Sequence, residues 1–139
     1  MLAGATAAIN YIAGLSEAGE TRRERIVSAM VAMDEYELEL REVIERGITA
    51  LPGVTCYSRA KRRTSTLLIS VEGIEPITIE TRLRERGFLA QAGHFYALEV
   101  CNALGLGMMG GVRFGLAPYN TLEEAEGLVT ALAGAIAEG

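Results

Sequence analysis

Arg113 is the residue in this chain with the clearest chemical potential. It lies in the run Gly110-Gly111-Val112-Arg113-Phe114-Gly115-Leu116-Ala117-Pro118-Tyr119-Asn120-Thr121. A guanidinium among Val, Phe and Leu is costly to bury unless it meets an anion. Its planar fork suits a carboxylate or phosphate held by two parallel hydrogen bonds. The same spacing also fits an arginine on the wet face of an edge strand. The only histidine, His94, sits in Gly93-His94-Phe95-Tyr96-Ala97. It follows a glycine in a strand-to-helix turn, a common place for functional groups, although a lone histidine also serves structure alone. The only lysine is Lys61, within Arg59-Ala60-Lys61-Arg62-Arg63. Cys56 and Cys101 match neither a metal site nor a C-x-x-C pair. Gly105-Leu106-Gly107-Met108-Met109-Gly110 fits G-x-G-x-x-G, but a dinucleotide loop must follow a strand and open a helix. Here the run leaves a predicted helix and enters a predicted strand, so it reads as a connector.

The elements that must position these groups follow from periodicity and punctuation. Residues 3–15 read as a helix with Ala8, Ile9, Ile12 and Leu15 on one side. Thr21-Arg22-Arg23-Glu24 is a capping box. It opens the longest helix, over 22–46, striped by Ile26, Met30, Met33, Leu40 and Ile44. Glu35, Glu37, Glu39, Glu42 and Glu45 are assigned to its wet side, and Gly47 to its C-terminal cap. Val54–Ser58 and Ser65–Val71 read as a hairpin around the basic loop 59–64. Pro76 opens a helix that runs to Arg86. Strands are expected at Phe88–Ala92 and Val112–Ala117, with a short helix at Tyr96–Leu104 between them. Thr121-Leu122-Glu123-Glu124 is a second capping box, opening a last helix striped by Ala125, Leu128, Val129, Leu132 and Ile136. The order predicts an α+β fold: a two-layer domain with an about four-stranded, mostly antiparallel sheet covered by helices.

Bulk properties narrow the function classes. The chain has 139 residues, half of them apolar, and a net charge of -5. That is enough for a core. The charge argues against nucleic acid, which requires a basic footprint. The apolar N-terminus lacks a basic n-region and is interrupted, so no signal peptide or membrane span is read there. The cysteines read as reduced thiols of a cytoplasmic protein, and no metal site is expected.

The run from Val112-Arg113 through Tyr119-Asn120-Thr121 resembles the C-terminal end of the class V aminotransferase and cysteine desulfurase family, fold type I enzymes that use pyridoxal phosphate. The Gly93-His94 loop resembles the same family, as does the helix Gly4-Ala5-Thr6-Ala7-Ala8-Ile9-Asn10-Tyr11-Ile12. The resemblance implies that Arg113 grips the α-carboxylate of an amino acid substrate. It implies that His94 or Tyr96 lines the entrance and contacts the substrate side chain. In desulfurases of the group that assembles iron–sulfur precursors, the loop reads like Arg-x-Gly-His-His-Cys-Ala. Here Gln91 replaces the arginine, Phe95 the second histidine, and Tyr96 the sulfur-accepting cysteine. Tyrosine cannot carry a persulfide, so an aminotransferase-like or lyase-like relative fits better than a desulfurase of that group, with a cysteine desulfurase or selenocysteine lyase-like parent as the alternative.

A pyridoxal phosphate enzyme needs a Schiff-base lysine and an acid facing the pyridine nitrogen. Lys61 lies in an Arg-rich loop, and the only aspartate, Asp34, lies on an amphipathic helix. The resemblance places these missing groups upstream, in a large domain. The chain is therefore expected to be a C-terminal small domain (20–139) preceded by a connecting helix (1–19). It would hold no catalytic or cofactor-binding residue of its own and would be inactive alone. Its partners would be the large domain and, in the complete enzyme, a second subunit. The alternative is a stand-alone α+β module that uses Arg113 for a small anion or for nothing. Apolar patches at Ala3–Leu15 and around Phe95–Tyr96 would favour the detached domain.

Overall fold

The computed structural model describes residues 2–138. Its elements are α1 (Leu2–Gly14), α2 (Arg22–Thr49), β1 (Val54–Cys56), β2 (Thr66–Val71), α3 (Pro76–Glu85), β3 (Gln91–Gly93), α4 (Leu98–Ala103), β4 (Gly111–Gly115) and α5 (Leu122–Ala137). A single 3₁₀ turn, Gly107–Met109, precedes β4. The chain divides into two units, residues 1–39 and 40–139, with α2 running through both.

In the first unit, the capping box at the start of α2 forms as the sequence predicts. Glu24 N–H donates to Thr21 Oγ1 at 3.2 Å, and Thr21 N–H donates to Glu24 Oε2 at 3.0 Å. The chain between α1 and α2 is tied by Ser16, whose hydroxyl donates to Ser28 Oγ at 3.0 Å. Among the described residues of this unit, only Ala13 and Ala29 are buried. Leu2, Ile9, Tyr11 and Leu15 of the α1 segment are exposed, as are Val27, Met30 and Val31 of α2. Met30, expected in the buried stripe, is thus at the surface.

The second unit carries the core. Its four-stranded sheet has the order β1-β2-β4-β3, and every neighbouring pair is antiparallel. β1 and β2 form the expected hairpin around residues 57–65. β2 and β3 run parallel to one another on either side of β4, joined through α3, which is a split β-α-β unit. One face of the sheet supplies Leu67, Ile69, Val71, Val112 and Phe114 to the core. Against it pack Leu40, Ile44 and Ile48 of α2, Ile79 and Leu83 of α3, and Ala125, Leu128, Ala131, Leu132 and Ala135 of α5. These residues recur every three or four positions, the spacing of one helical face.

Three local expectations change. Gly47 is not a cap, because α2 continues to Thr49. A Cβ at 47 would lie 2.5 Å from a Val129 methyl, so Gly47 is the point where α2 and α5 approach closely. Glu45 is not on the wet side; it pairs with Arg63 and lies 3.9 Å from Arg41. Arg41 itself is only 6% exposed and donates to the carbonyls of Arg63 and Thr64 at 2.9 and 3.2 Å. These contacts pin the basic loop to α2. Finally, β3 starts at Gln91 rather than Phe88. Phe88 N–H still closes the turn after α3 by donating to Leu83, and its ring packs against Gly127. The ladder with β4 begins only after that turn.

The last turn of α5 contains no basic residue. α3 supplies it instead: Arg82 donates to the carbonyls of Ala135 and Glu138 at 2.7 and 3.2 Å, and Arg86 pairs with the Glu138 carboxylate. Cations at a helix C-terminus satisfy its free carbonyls and favour its dipole.

Candidate functional site

From Val112 to Phe114 β4 alternates, with a half-buried residue between two buried ones. Val112 and Phe114 face the core, so Arg113 must face the opposite side of the sheet. β4 is an interior strand, not an edge. Arg113 is therefore flanked on both sides, by Leu68 of β2 and Gln91 of β3 in register. It is half-buried. Its Nη2 donates to Gln91 Oε1 at 2.5 Å. Its Cζ lies 4.0 Å from the centroid of the Phe95 ring, a cation–π contact. Among the described residues, no carboxylate lies within ion-pair distance of Arg113. The guanidinium is thus oriented by a neutral acceptor and a ring while its charge stays uncompensated.

The pair Gly110-Gly111 allows this placement. Gly110 has φ +65°, and a Cβ there would overlap the Gly93 carbonyl. A Cβ on Gly111 would lie 2.6 Å from the Ile69 carbonyl. Glycine alone tolerates both. The close approach brings β3, and the loop after it, onto the start of β4. Glu80 of α3 adds a second anchor by accepting the Ala92 N–H at 2.7 Å.

The loop that follows is held in an unusual conformation. Phe95 and Tyr96 both have positive φ, +51° and +59°. Left-handed backbone costs a bulky residue on the order of 1–3 kcal/mol, and such strain collects at functional sites. It turns the Phe95 ring toward Arg113 and leaves Tyr96 fully exposed, at 100%. His94 is half-buried, edge-on to Tyr96 with 6.4 Å between ring centroids. Its Nδ1 is buried and has no hydrogen-bond partner. Cys101 of α4 lies beneath, 3% exposed, with its thiol directed to the His94 carbonyl at 3.8 Å.

Glu80, Gln91, His94, Phe95, Tyr96 and Arg113 line an open depression of ≈ 700 Å³. All three residues singled out in the sequence for a site, Arg113, His94 and Tyr96, meet there. Gln91 and Phe95 belong to it as well. The Gly93-His94 motif is visible in the sequence, but only the fold shows that Gln91 stands opposite Arg113 in the ladder and that a left-handed turn brings Phe95 back over it. Lys61 and Asp34 stay apart from this group. Lys61 is exposed in the pinned basic loop, and Asp34 is exposed in the first unit. Among the described residues, no lysine lines the depression, and its one acid, Glu80, is engaged with Arg84 and the Ala92 N–H, so these residues alone do not fit pyridoxal phosphate.

The sequence of residues 1–128 matches the family model described as aminotransferase class-V. The chain is 33% identical over 135 residues to an uncharacterized protein of Mycobacterium tuberculosis, covering 96% of this chain and 33% of that protein. It is 32% identical over 136 residues to a probable cysteine desulfurase of Mycolicibacterium paratuberculosis, covering 98% of this chain and 18% of the relative. Among solved structures, the cysteine desulfurase CsdA of Escherichia coli superposes with a TM-score of 0.69 at 26% identity, over 88% of this chain and 32% of that one. The chain thus spans a third or less of the length of the relatives it matches. The match over nearly its whole length, together with the α+β architecture shared with CsdA, means that the chain belongs to the class V aminotransferase family as a cysteine desulfurase-like domain.

Proposed function

We propose that this chain supplies the carboxylate-gripping side of the substrate site in a pyridoxal-phosphate-dependent, aminotransferase-like enzyme. The observation that carries the reading is Arg113: half-buried on an interior strand, oriented by Gln91 and Phe95, and lacking a carboxylate partner among the described residues. Such a group is set up to receive a carboxylate in a bidentate pair. Fixing an amino acid by its carboxylate orients the bonds at Cα, and orientation of this kind contributes several kcal/mol to lowering a barrier. His94 lines the same depression, with its Nδ1 buried and lacking a hydrogen-bond partner. Tyr96 offers an exposed ring to the substrate side chain.

The lysine and the acid that hold the cofactor would come from a large domain, with residues 1–19 as the helix leading from it. The second subunit of a homodimer would complete the enclosure. The exposed apolar side chains of α1, and Tyr96 itself, support this arrangement, since they are surface for another body to cover. By this reading the chain alone is inactive. Its two free cysteines suit a reducing cytoplasm. Among the described residues, no helix is long and apolar enough to cross a membrane.

The relatives named as cysteine desulfurases keep desulfuration open for the family, but this loop offers no sulfur acceptor. Tyr96 stands at the accepting position, and Cys101 is buried under His94. The test is Arg113→Ala in the complete enzyme. The Michaelis constant for the amino acid should rise about 30- to 100-fold, the worth of a charge-assisted bidentate pair, while cofactor absorbance stays unchanged. An unchanged Michaelis constant refutes the role.

A further inference from the structure

We infer that Phe95 and Gln91 are positioning residues for Arg113, and that the left-handed backbone of the Gly93–Ala97 loop exists to place the Phe95 ring under the guanidinium. The inference rests on the reading of Arg113 as a carboxylate site and adds how its fork is aimed.

An unaimed arginine is a poor receptor. Its side chain has several rotatable bonds, and immobilising it on binding costs affinity unless it is already ordered. Two contacts order Arg113 in the absence of ligand. Gln91 Oε1 takes a hydrogen from Nη2 at 2.5 Å, which fixes rotation about the guanidinium axis. The Phe95 ring lies against the guanidinium, its centroid 4.0 Å from Cζ, which restricts where the fork can swing. Both partners are neutral. A carboxylate in either place would order the arginine equally well, but it would occupy the charge. Gln and Phe orient it and leave it available.

The backbone explains why Phe95 reaches that position. Residue 95 follows β3 by two positions, and an extended continuation would carry it away along the strand direction. The φ values of +51° at Phe95 and +59° at Tyr96 reverse the chain at once. The reversal is anchored on both sides. Gly93 is pressed against Gly110, and Ala97 N–H donates to the His94 carbonyl at 2.8 Å. Glycine would adopt this turn without strain. The presence of two aromatic residues there is accounted for, at position 95, by the ring on Arg113. The charge lining the depression fits a simple anion: one arginine, and one glutamate already engaged with Arg84 and the Ala92 N–H. The ligand class is a monocarboxylate.

The test follows the Arg113 side chain directly, in the 139-residue chain labelled with nitrogen-15, with acetate as probe and chloride at equal ionic strength as control. In the free protein the Arg113 Nε–H signal should be shifted upfield by the Phe95 ring. The shift should vanish in Phe95→Leu and return in Phe95→Trp. Acetate should perturb that signal where chloride does not. Phe95→Leu and Gln91→Ala should each weaken acetate binding about tenfold, the scale of a partly desolvated cation–π contact for the first and of a hydrogen bond to a charged group for the second, and Phe95→Trp should bind as the parent does. Gln91→Glu should abolish acetate binding by pairing with Arg113 internally. Where the leucine variant does not fold, Phe95→Gly, which accepts the turn without strain, takes its place. If Phe95→Leu and Gln91→Ala bind acetate as tightly as the parent chain, the positioning inference is overturned while the carboxylate reading stands. If the parent chain's Arg113 signal ignores acetate, the carboxylate reading fails, and an unshifted signal in the free protein removes the positioning role independently.

Discussion

At the scale of single residues, the chemistry was partly written in the sequence. An arginine flanked by apolar residues in a short strand, and a histidine after a glycine, are visible as types and spacings. The partners of Arg113 were not. Gln91 becomes its neighbour only through strand register, and Phe95 only through two left-handed φ values that no propensity predicts for aromatic residues. The glycine pair was legible as a glycine pair, but its reason is tertiary. Gly110 has no room for a Cβ because the Gly93 carbonyl occupies that space. Gly110→Ala should therefore destabilise the domain by at least about 3 kcal/mol, combining backbone strain with overpacking. Chemical denaturation would measure it, and a loss under about 1 kcal/mol would show that β3 and β4 can separate there at little cost.

Elements were more legible than residues, because caps and periodicity act locally. Both capping boxes formed where Thr-x-x-Glu announced them. They also make a pH prediction. Glu24 is held below its ordinary value of 4.5 by the Thr21 N–H first, then by the Glu20 N–H and the Thr21 hydroxyl. Glu124 is lowered by the Asn120 side-chain amide first, then by the Thr121 N–H. A depressed carboxylate stabilises the fold fully above its unfolded value and loses that contribution as pH falls through the folded value. Thermal stability should drop as pH falls below about 4.5, and Glu124→Gln should show a smaller acid drop than the parent chain. Equal drops would remove Glu124 from the cause.

Where elements meet, the sequence misled. Gly47 looked like a stop, yet α2 runs past it because Val129 of α5 needs the missing side chain's space. Gly47→Ala gains up to about 1 kcal/mol of helix propensity but overpacks a stiff β-branched neighbour, a cost of about 1–3 kcal/mol. A net loss of about 1 kcal/mol is expected in denaturant melts, and net stabilisation would show that α5 shifts freely. Arg41 and Glu45 were likewise invisible as partners of the basic loop, because contacts separated by some twenty positions leave no local pattern.

For the whole molecule, the α+β class and the antiparallel four-stranded sheet followed from the order of elements. The division of the chain at residue 39 did not, since a single helix crosses it. The apolar side chains Leu2, Ile9 and Tyr11 of α1 are exposed, and the chain spans a third or less of the length of its relatives. On the proposed reading, Arg113 recognises an α-carboxylate in the complete enzyme. The most direct measurement compares kcat/KM for the best L-amino acid of a panel with that for its carboxamide, in the parent enzyme and in Arg113→Ala. The parent enzyme should prefer the acid by about 30-fold or more, and the variant should lose most of this preference, because only the charged carboxylate exploits the guanidinium. An equal preference in both enzymes would contradict it.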